Sequence, residues 1–419
     1  MTLEFKDLVP QITKMGAMLE HLDFDLSDRL RIAYERFQAA SDLGDVWARI
    51  DWVRQSDISG YRGAAPLDLP GAEAINAIVS PSAPPPSATL LAADGSQVYP
   101  DEQFPVHYYL INLAAFVYHY GVERTPEQHM VPQLFFHKDN VHDKYGRVIS
   151  HRTVDDRRTI AEMHFLAEYA WAYRDEARPL LALYDNRLMY QANGGDKNEN
   201  QLAFRQYMAA LVRLHDAGAV VAGYIDDPRL SKRFIQLLYL MSLHDEEEVK
   251  AMQHMLGQAG DLDGLRDWQF FRMVLEPGQR SAIMVQNSPR NLEFRQRGEN
   301  YEIAFFYLNT GDDYHPHIVR VDIPVWVARD QQVVRELHAL LLEQCRMQGR
   351  NPYPYVLTRA DELAVVNGRD RLKLDELIKA QVRRSTTLPV DQPDYSAKTR
   401  GKDLSRSDKR RFEMKPQGG

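Results

Sequence analysis

The sequence predicts an α/β fold in which helices flank a mixed five-stranded sheet, with a helical segment before it and added strands and helices after it. Three observations carry this. Short apolar runs of strand composition alternate with longer, charge-rich stretches of helical spacing. The chain has 419 residues, 44% of them hydrophobic, enough to bury a large core. Two of the apolar runs, Thr89-Leu-Leu-Ala-Ala and Pro179-Leu-Leu-Ala-Leu-Tyr184, end in the carboxylates Asp94 and Asp185.

Residues 1–55 read as helical, with apolar positions at helical spacing through Leu8, Ile12, Met15, Met18 and Leu19, then Leu30, Ile32, Ala33 and Phe37. Residues 56–88 read as a linker, because Gly, Ser and Pro dominate and the stretch closes on Ser-Ala-Pro-Pro-Pro-Ser. Strands follow at 89–94, 106–119 and 133–136, with Gly95 marking the end of the first strand or a tight turn after it. A helix is predicted over 152–173, with Asp155 and Asp156 in its first turn, where they complement the helix dipole. Next come a strand at 180–184, a helix at 199–214 and a strand at 219–225. Strand-like runs recur at 281–285, 303–308 and 318–327, then a helix at 331–347 and shorter ones near Ala360 and Leu374. Residues 385–419 hold little apolar content and read as a disordered tail. Three units result: 1–88, 89–384 and 385–419.

Composition excludes several classes. The single cysteine, Cys345, rules out a disulfide framework within the chain and a cysteine-based zinc site, and suits a reducing, cytoplasmic setting. No basic stretch and apolar core open the chain, so no signal peptide is expected, and no run approaches the roughly 18 apolar residues of a membrane span. The net charge is −8, yet the tail from Pro393 holds eight Lys/Arg against four acids, about +4, leaving about −12 for the rest. His107, His119, His137, His142, His151, His164, His315 and His317 show no His-Glu-x-x-His spacing, so a zinc hydrolase is not expected. With no Gly-x-x-x-x-Gly-Lys-Ser/Thr loop, the chain is not expected to hydrolyse ATP itself.

The carboxylates are the chemical signal. Two-metal phosphodiester cleavage needs hard oxygen ligands converging where cations clamp the scissile phosphate. Three strands, a helix bearing an acid, then a strand ending in an acid is the ribonuclease-H-like arrangement. Asp94 and Asp185 are its strand acids. The helix acid is Glu162, whose spacing to Phe165 and Leu166 sets it beside the helix's apolar face, where an unpaired carboxylate is costly. Glu168 and Asp156 compete for that role but read as solvated. Each acid also has a plain reading, Asp-Gly and Asp-Asn being common turns and a helical Glu often a surface residue.

At these residues the chain resembles the NurA nucleases, partners of HerA-type hexameric ATPases in DNA-end processing. The resemblance runs from about residue 88 to 384. It rests on Leu-Leu-Ala-Ala-Asp94-Gly-Ser, Leu-Ala-Leu-Tyr-Asp185, Val-Val-Ala-Gly-Tyr-Ile-Asp-Asp-Pro-Arg229, Glu276-Pro-Gly-Gln-Arg280-Ser281, Val-Arg320-Val-Asp322-Ile-Pro324 and Asn351-Pro-Tyr353-Pro-Tyr-Val-Leu-Thr-Arg-Ala-Asp361. It implies a ribonuclease-H-like core and a Mn²⁺-dependent nuclease (Mg²⁺ being the other hard cation) acting on single- and double-stranded DNA. It further implies a ring-like homodimer docked to a HerA-like hexameric ATPase, in repair or in anti-phage defence. Asp94, Glu162 and Asp185 fall on the family's acidic positions and are the expected metal ligands, and Tyr353, on the tyrosine of its late Tyr-Pro motif, is expected to assist together with Asp361. Where the family usually has a histidine, this chain has Ala360-Asp361-Glu362, and Asn186 replaces a common glycine. Asp361 is either an oxygen ligand in the histidine's place or a helix N-cap. A NurA-like subunit that clamps DNA or regulates the ATPase without cutting is the alternative; a metal-dependent phosphatase for small substrates is a third reading.

Four residues are candidate DNA contacts. Arg280 and Ser281 would hold a backbone phosphate, unless Arg280 pairs with a nearby acid. Lys232 and Arg233, after the Asp-Asp-Pro turn, either line the site or are solvated. Tyr353 would orient the attacking water or stack on a base, or simply pack. The tail from Lys398 to Lys415 is either a phosphate-binding arm or a solubilising terminus.

Overall fold

The computed structural model describes residues 5–55, 61–102, 104, 106–194 and 196–385, without the side chains of 17–25 and 55. The basic tail and the side chains of Met18 and Leu19 therefore lie outside the described residues. In chain order, α1 (Phe5–Ala39) and α2 (Leu43–Gln55) precede β1 (Ala64–Pro66) and β2 (Ile78–Val79). Then come β3 (Ala88–Val98), β4 (Tyr109–Tyr120), β5 (Glu127–Phe135), α3 (Lys138–Val141), α4 (His151–Ala172), β6 (Leu180–Tyr184), α5 (Lys197–Asp216) and β7 (Val220–Ile225). A helical excursion follows: α6 (Arg233–Leu240), α7 (Glu246–Ala251), α8 (Gln253–Leu256) and α9 (Asp267–Val274). The described residues end in β8 (Arg280–Ser281), β9 (Met284–Gln286), α10 (Pro289–Gln296), β10 (Ile303–Asn309), β11 (Ile318–Pro324), α11 (Val325–Ala328), α12 (Gln331–Arg346), α13 (Tyr355–Ala364) and α14 (Gly368–Ser385).

The strands form one mixed sheet of eleven, in the order β1-β9-β10-β11-β7-β6-β3-β4-β5, with β2 and β8 attached beside β10. The expected five strands are a contiguous block within it, β7-β6-β3-β4-β5. Inside the block β3, β4 and β5 are antiparallel, and β3, β6 and β7 are parallel. The sheet is thus wider than the five strands, because β11 adds antiparallel to β7 and β10, β9, β8, β1 and β2 extend it further. Strands β6 and β7 are apolar on both faces, as parallel strands covered by helices must be. One face packs against α4 and α5, and the other against α1, α2, α6, α12 and α13.

Local signals fix the helix starts. Ser150 caps α4 by accepting from the Thr153 N–H, and Asp196 and Glu199 form a capping box on α5. Helix α6 is capped from a distance: buried Asp267 accepts the N–H groups of Arg233, Phe234 and Ile235, along with the Tyr307 and Ser231 hydroxyls.

Several expectations change. The stretch read as a linker contains β1 and β2 and buries Tyr61, Ala64, Leu67 and Ile75. The N-terminal helices join the main core, with Phe37 edge-on to Phe234 and Phe270 at 5.9 and 5.3 Å. Strand β3 does not stop at Asp94 but runs to Val98, its ladder with β4 continuing through Gly95. Helix α4 starts at His151, so Asp155 and Asp156 fall in its second turn. Asp156 is buried rather than solvated, and it accepts the N–H groups of Asn193 and Gly194. No helix among the described residues is long and apolar enough to cross a membrane.

Candidate active site

The site is built where β3 and β6 run side by side. Ala93 pairs with Tyr184 in their parallel ladder, so Asp94 and Asp185 are the next positions on neighbouring strands. Strands lie about 4.8 Å apart and side chains alternate between faces, so both carboxylates project on the same side. That side carries α13, because Leu90 and Ala92, which share the facing of Asp94, pack with Val356, Leu357 and Ala360.

Ser96 and Asn112 hold α13 in place. The Ser96 hydroxyl and the Asn112 amide both donate to the Ala364 carbonyl at the helix C-terminus, and Ser96 Oγ accepts from the Val366 N–H. This docking brings Asp361, in the middle of α13, over the strand acids. Asp361 is not an N-cap, since the helix begins at Tyr355 after Pro354. Its charge helps raise the pKa of both Asp94 and Asp185.

Burial is the main cause of the rise at each. Asp94 is half-buried and is pushed up to about 6, with Asp361 and Asp185 adding repulsion against the Gly95 N–H and Arg158. Asp185 keeps one open side toward solvent, yet protein atoms crowd the others and lift its carboxyl, while a hydrogen bond from Tyr353 opposes the rise. Tyr353, edge-on to Tyr224 at 5.3 Å, has its hydroxyl pKa raised by burial and by Asp185. It is a neutral donor at any ordinary pH.

Glu162 occupies the opposite face. It projects from α4 beneath Gly95, is only 4% exposed, and accepts from the Tyr184 hydroxyl at 3.2 Å. Burial pushes its carboxyl up to about 8, despite Arg158. Arg158 Nε lies 3.2 Å from Glu162 Oε1, but the N–H is not aimed at it, so neither atom has a hydrogen bond. The glycine is explained here. A Cβ at Gly95 would sit 2.9 Å from Glu162 Oε1 and 3.2 Å from Arg158 Cγ. Gly95→Ala is expected to cost about 1–3 kcal/mol by overpacking, read as a lower urea midpoint; an unchanged midpoint would show that Glu162 yields freely.

The structure thus joins Asp94, Asp185, Asp361 and Tyr353, with Glu162 one strand thickness away. Among the described residues, no three His, Cys, Asp or Glu side chains already converge as a metal-binding group. The donor set nonetheless suits a hard cation. The charge of Asp361 adds to the cost of ionising Asp94 and Asp185, and Glu162 Oε1 is buried without a hydrogen bond.

Sequence reasoning overlooked Asp226, just beyond β7, which accepts from His317 Nε2 at 2.8 Å and adds to the repulsion on Asp185. Its position after an apolar strand was the same signal that marked Asp185, but Asp-Asp-Pro read as a turn.

The expected phosphate contacts fare unequally. Arg280 is 3% exposed and its guanidinium forks onto Glu73 at 2.9 and 2.6 Å, while the Ser281 hydroxyl donates to the Ala282 carbonyl and accepts from the Tyr307 N–H. Both are interior, so neither is available to a phosphate. Glu73→Ala is expected to destabilise the fold by roughly 2–3 kcal/mol, because it leaves a buried guanidinium without its counter-charge; an unshifted denaturation midpoint would contradict that pairing. Lys232 points toward Asp263, with Nζ 3.9 Å from its carboxylate. Arg233 lines a cavity beyond the end of β7.

No curated protein sequence matches the chain. Among solved structures it is similar to the NurA nuclease from Sulfolobus solfataricus, at 12% identity and a TM-score of 0.49, covering 90% of this chain and 99% of that one. It is also similar to the catalytic domain of human Endonuclease V, at 13% identity and a TM-score of 0.31, covering 70% and 84% respectively. The family model of the NurA domain matches residues 88–366, well over half of the sequence, and the chain belongs to the NurA family.

Proposed function

We propose that this protein is a metal-dependent deoxyribonuclease whose ribonuclease-H-like core is the β7-β6-β3-β4-β5 block. The pairing of Asp94 and Asp185 on adjacent parallel strands, under Asp361, carries the reading. Asp94 and Asp185 would hold Mn²⁺ or Mg²⁺ through oxygen, with Glu162 supporting from beneath Gly95 and Asp361 in the place of the family's histidine. Such an ion supplies Lewis acidity and a water of lowered pKa. Tyr353, neutral and bonded to Asp185, orients that carboxylate and offers a hydroxyl to the reacting phosphate. The substrate is DNA, single- or double-stranded, cut by exonuclease action. The working assembly is a homodimer docked to a HerA-like hexameric ATPase, which supplies the translocation this chain has no phosphate loop to drive.

Incubation of the purified chain with linear DNA, with and without Mn²⁺, tests the reading. Degradation that needs the metal and disappears in Asp94→Asn supports it. Metal-independent cleavage sinks the metal site, and no cleavage by the wild type with or without the ATPase sinks the reading in favour of a non-cutting DNA-binding subunit.

A further inference from the structure

Six cationic side chains, Arg62, Arg187, Lys197, Arg233, Arg290 and Arg320, line one cavity of about 830 Å³. Among the described lining residues, Glu293 is the single acid. In a chain of net charge −8 this is a local reversal of sign. Arg290 is paired with Glu293 and Arg320 with Asp322. Arg62, Arg187, Lys197 and Arg233 make no ion pair with the described residues; Arg233 reaches only the Gln236 amide oxygen, at 3.5 Å.

The cations are positioned rather than scattered. The Arg320 guanidinium carbon lies 4.0 Å from the Phe305 ring centroid and that of Arg290 4.1 Å from that of Phe204; Arg320, buried against Asp322, adds to the potential of the cavity wall rather than meeting a phosphate itself. Arg233 opens α6, and burial together with Arg320 and Arg187 lowers its pKa. Folding therefore gathers like charges against their repulsion, and an anion in the cavity would relieve it.

Location names the anion. Arg187 follows Asp185 by two residues, and Arg320 pairs across β11 and β7 with Ile225, the residue before Asp226. The cavity thus borders the ends of β6 and β7, around the edge from the carboxylates. With Arg187 only two residues from Asp185, the phosphates that neighbour one held at Asp185 have this cavity's rim as their nearest group of cations on that loop. Arginine forks match phosphate oxygens and carry no sequence information, as an enzyme that degrades any DNA requires.

We infer that this cavity binds backbone phosphates of the DNA strand beside the cleavage site. The inference rests on the nuclease reading and extends it to residues outside the carboxylate cluster.

The test measures binding of a fluorescein-labelled single-stranded oligonucleotide to the full chain by anisotropy, in EDTA so that nothing is cut, across a range of KCl. The triple substitution Arg62→Gln, Arg187→Gln, Lys197→Gln removes three exposed charges without touching the core. Affinity is expected to fall about tenfold or more at moderate salt, and the slope of log affinity on log salt to drop by about 2, at roughly 0.7 per lost phosphate contact. The control Arg369→Gln, Arg371→Gln, Lys373→Gln, on the exposed face of α14, is expected to change affinity less than about twofold, since no phosphate contact is lost there. Wild-type affinity in the cavity variant, or an equal loss in the control, overturns the inference. So does stabilisation of the wild type by thymidine monophosphate, absent in the cavity variant, when DNA binding is unaltered. Metal-dependent cleavage by the wild type with unchanged binding in the cavity variant removes the cavity alone. Lost binding in that variant without wild-type cleavage removes the nuclease reading alone.

Discussion

Asp94→Asn is expected to lower Mn²⁺-dependent DNA cleavage by about a thousandfold while making the metal-free protein more resistant to heat. The activity loss follows from removing a charged oxygen ligand, since a bound cation lowers the barrier by several kcal/mol and each 1.4 kcal/mol is roughly tenfold. The stability gain follows from the carboxyl's position. Its folded pKa, about 6, lies above the ordinary 3.8 because burial and the charges of Asp361 and Asp185 oppose ionisation. A raised acid pKa penalises the fold at neutral pH, and the penalty disappears as pH falls from 6 toward 3.8. The melting difference between variant and wild type is therefore largest above pH 6 and closes near pH 4. Calorimetry of the metal-free proteins across that range reads it directly. Equal melting temperatures at pH 7.5 would mean that Asp94 is not strained by its neighbours, and undiminished cleavage would move the site elsewhere.

The parts of the fold that were legible are those whose burial leaves a one-dimensional trace. Strands β6 and β7 are covered on both faces, so they appear as unbroken apolar runs with boundaries close to those observed. Helices α4 and α5 were legible from their composition and spacing, whereas their caps, Ser150 and Asp196, lie just outside the spans read from the sequence. By contrast, α6 buries seven of its eight residues, and the sequence marked it only through Lys232 and Arg233 as first-turn residues of a helix. Its N-terminus is satisfied by Asp267, more than thirty residues away.

The site followed the same division. Asp94 and Asp185 were marked by strand ends, although β3 in fact continues past Asp94. Gly95 suggested a turn because glycine usually means backbone freedom. Here it is the absence of a side chain that matters, since Glu162 fills the space from the other face. Arg280 looked like a phosphate ligand because its partner, Glu73, is 207 residues earlier in a stretch that read as linker. Charge partners at that separation have no local signature. Nor does a cavity assembled from β1's approach, the β6 loop, α5, α6, α10 and β11.

Glu162→Gln is expected to separate stability from catalysis most sharply. Glu162 is 4% exposed and its carboxyl is pushed up to about 8, so the metal-free fold holds it protonated at neutral pH. The unfolded chain ionises the same group near 4.5, so folding must take up a proton. The resulting penalty grows from pH 4.5 to 8 and is constant above, and glutamine, neutral and similar in shape, escapes it. The variant is expected to be more stable at pH 8, by an amount on the order of a few kcal/mol, with no difference below about pH 4.5. Its cleavage is expected to fall about a hundredfold or more, the scale of losing a group that holds the metal-binding carboxylates in place. Metal binding supplies the independent readout. Carboxyl groups must release their protons to meet a cation, so Mn²⁺ affinity in the wild type is expected to rise with pH through 6 and on to 8. The variant keeps the rise around 6 that belongs to Asp94 and loses the part that runs to 8. Titration calorimetry with Mn²⁺ at several pH values distinguishes the two profiles. Identical profiles together with full cleavage would reduce Glu162 to a structural group beneath Gly95, leaving the chemistry to the face that Asp94, Asp185 and Asp361 share.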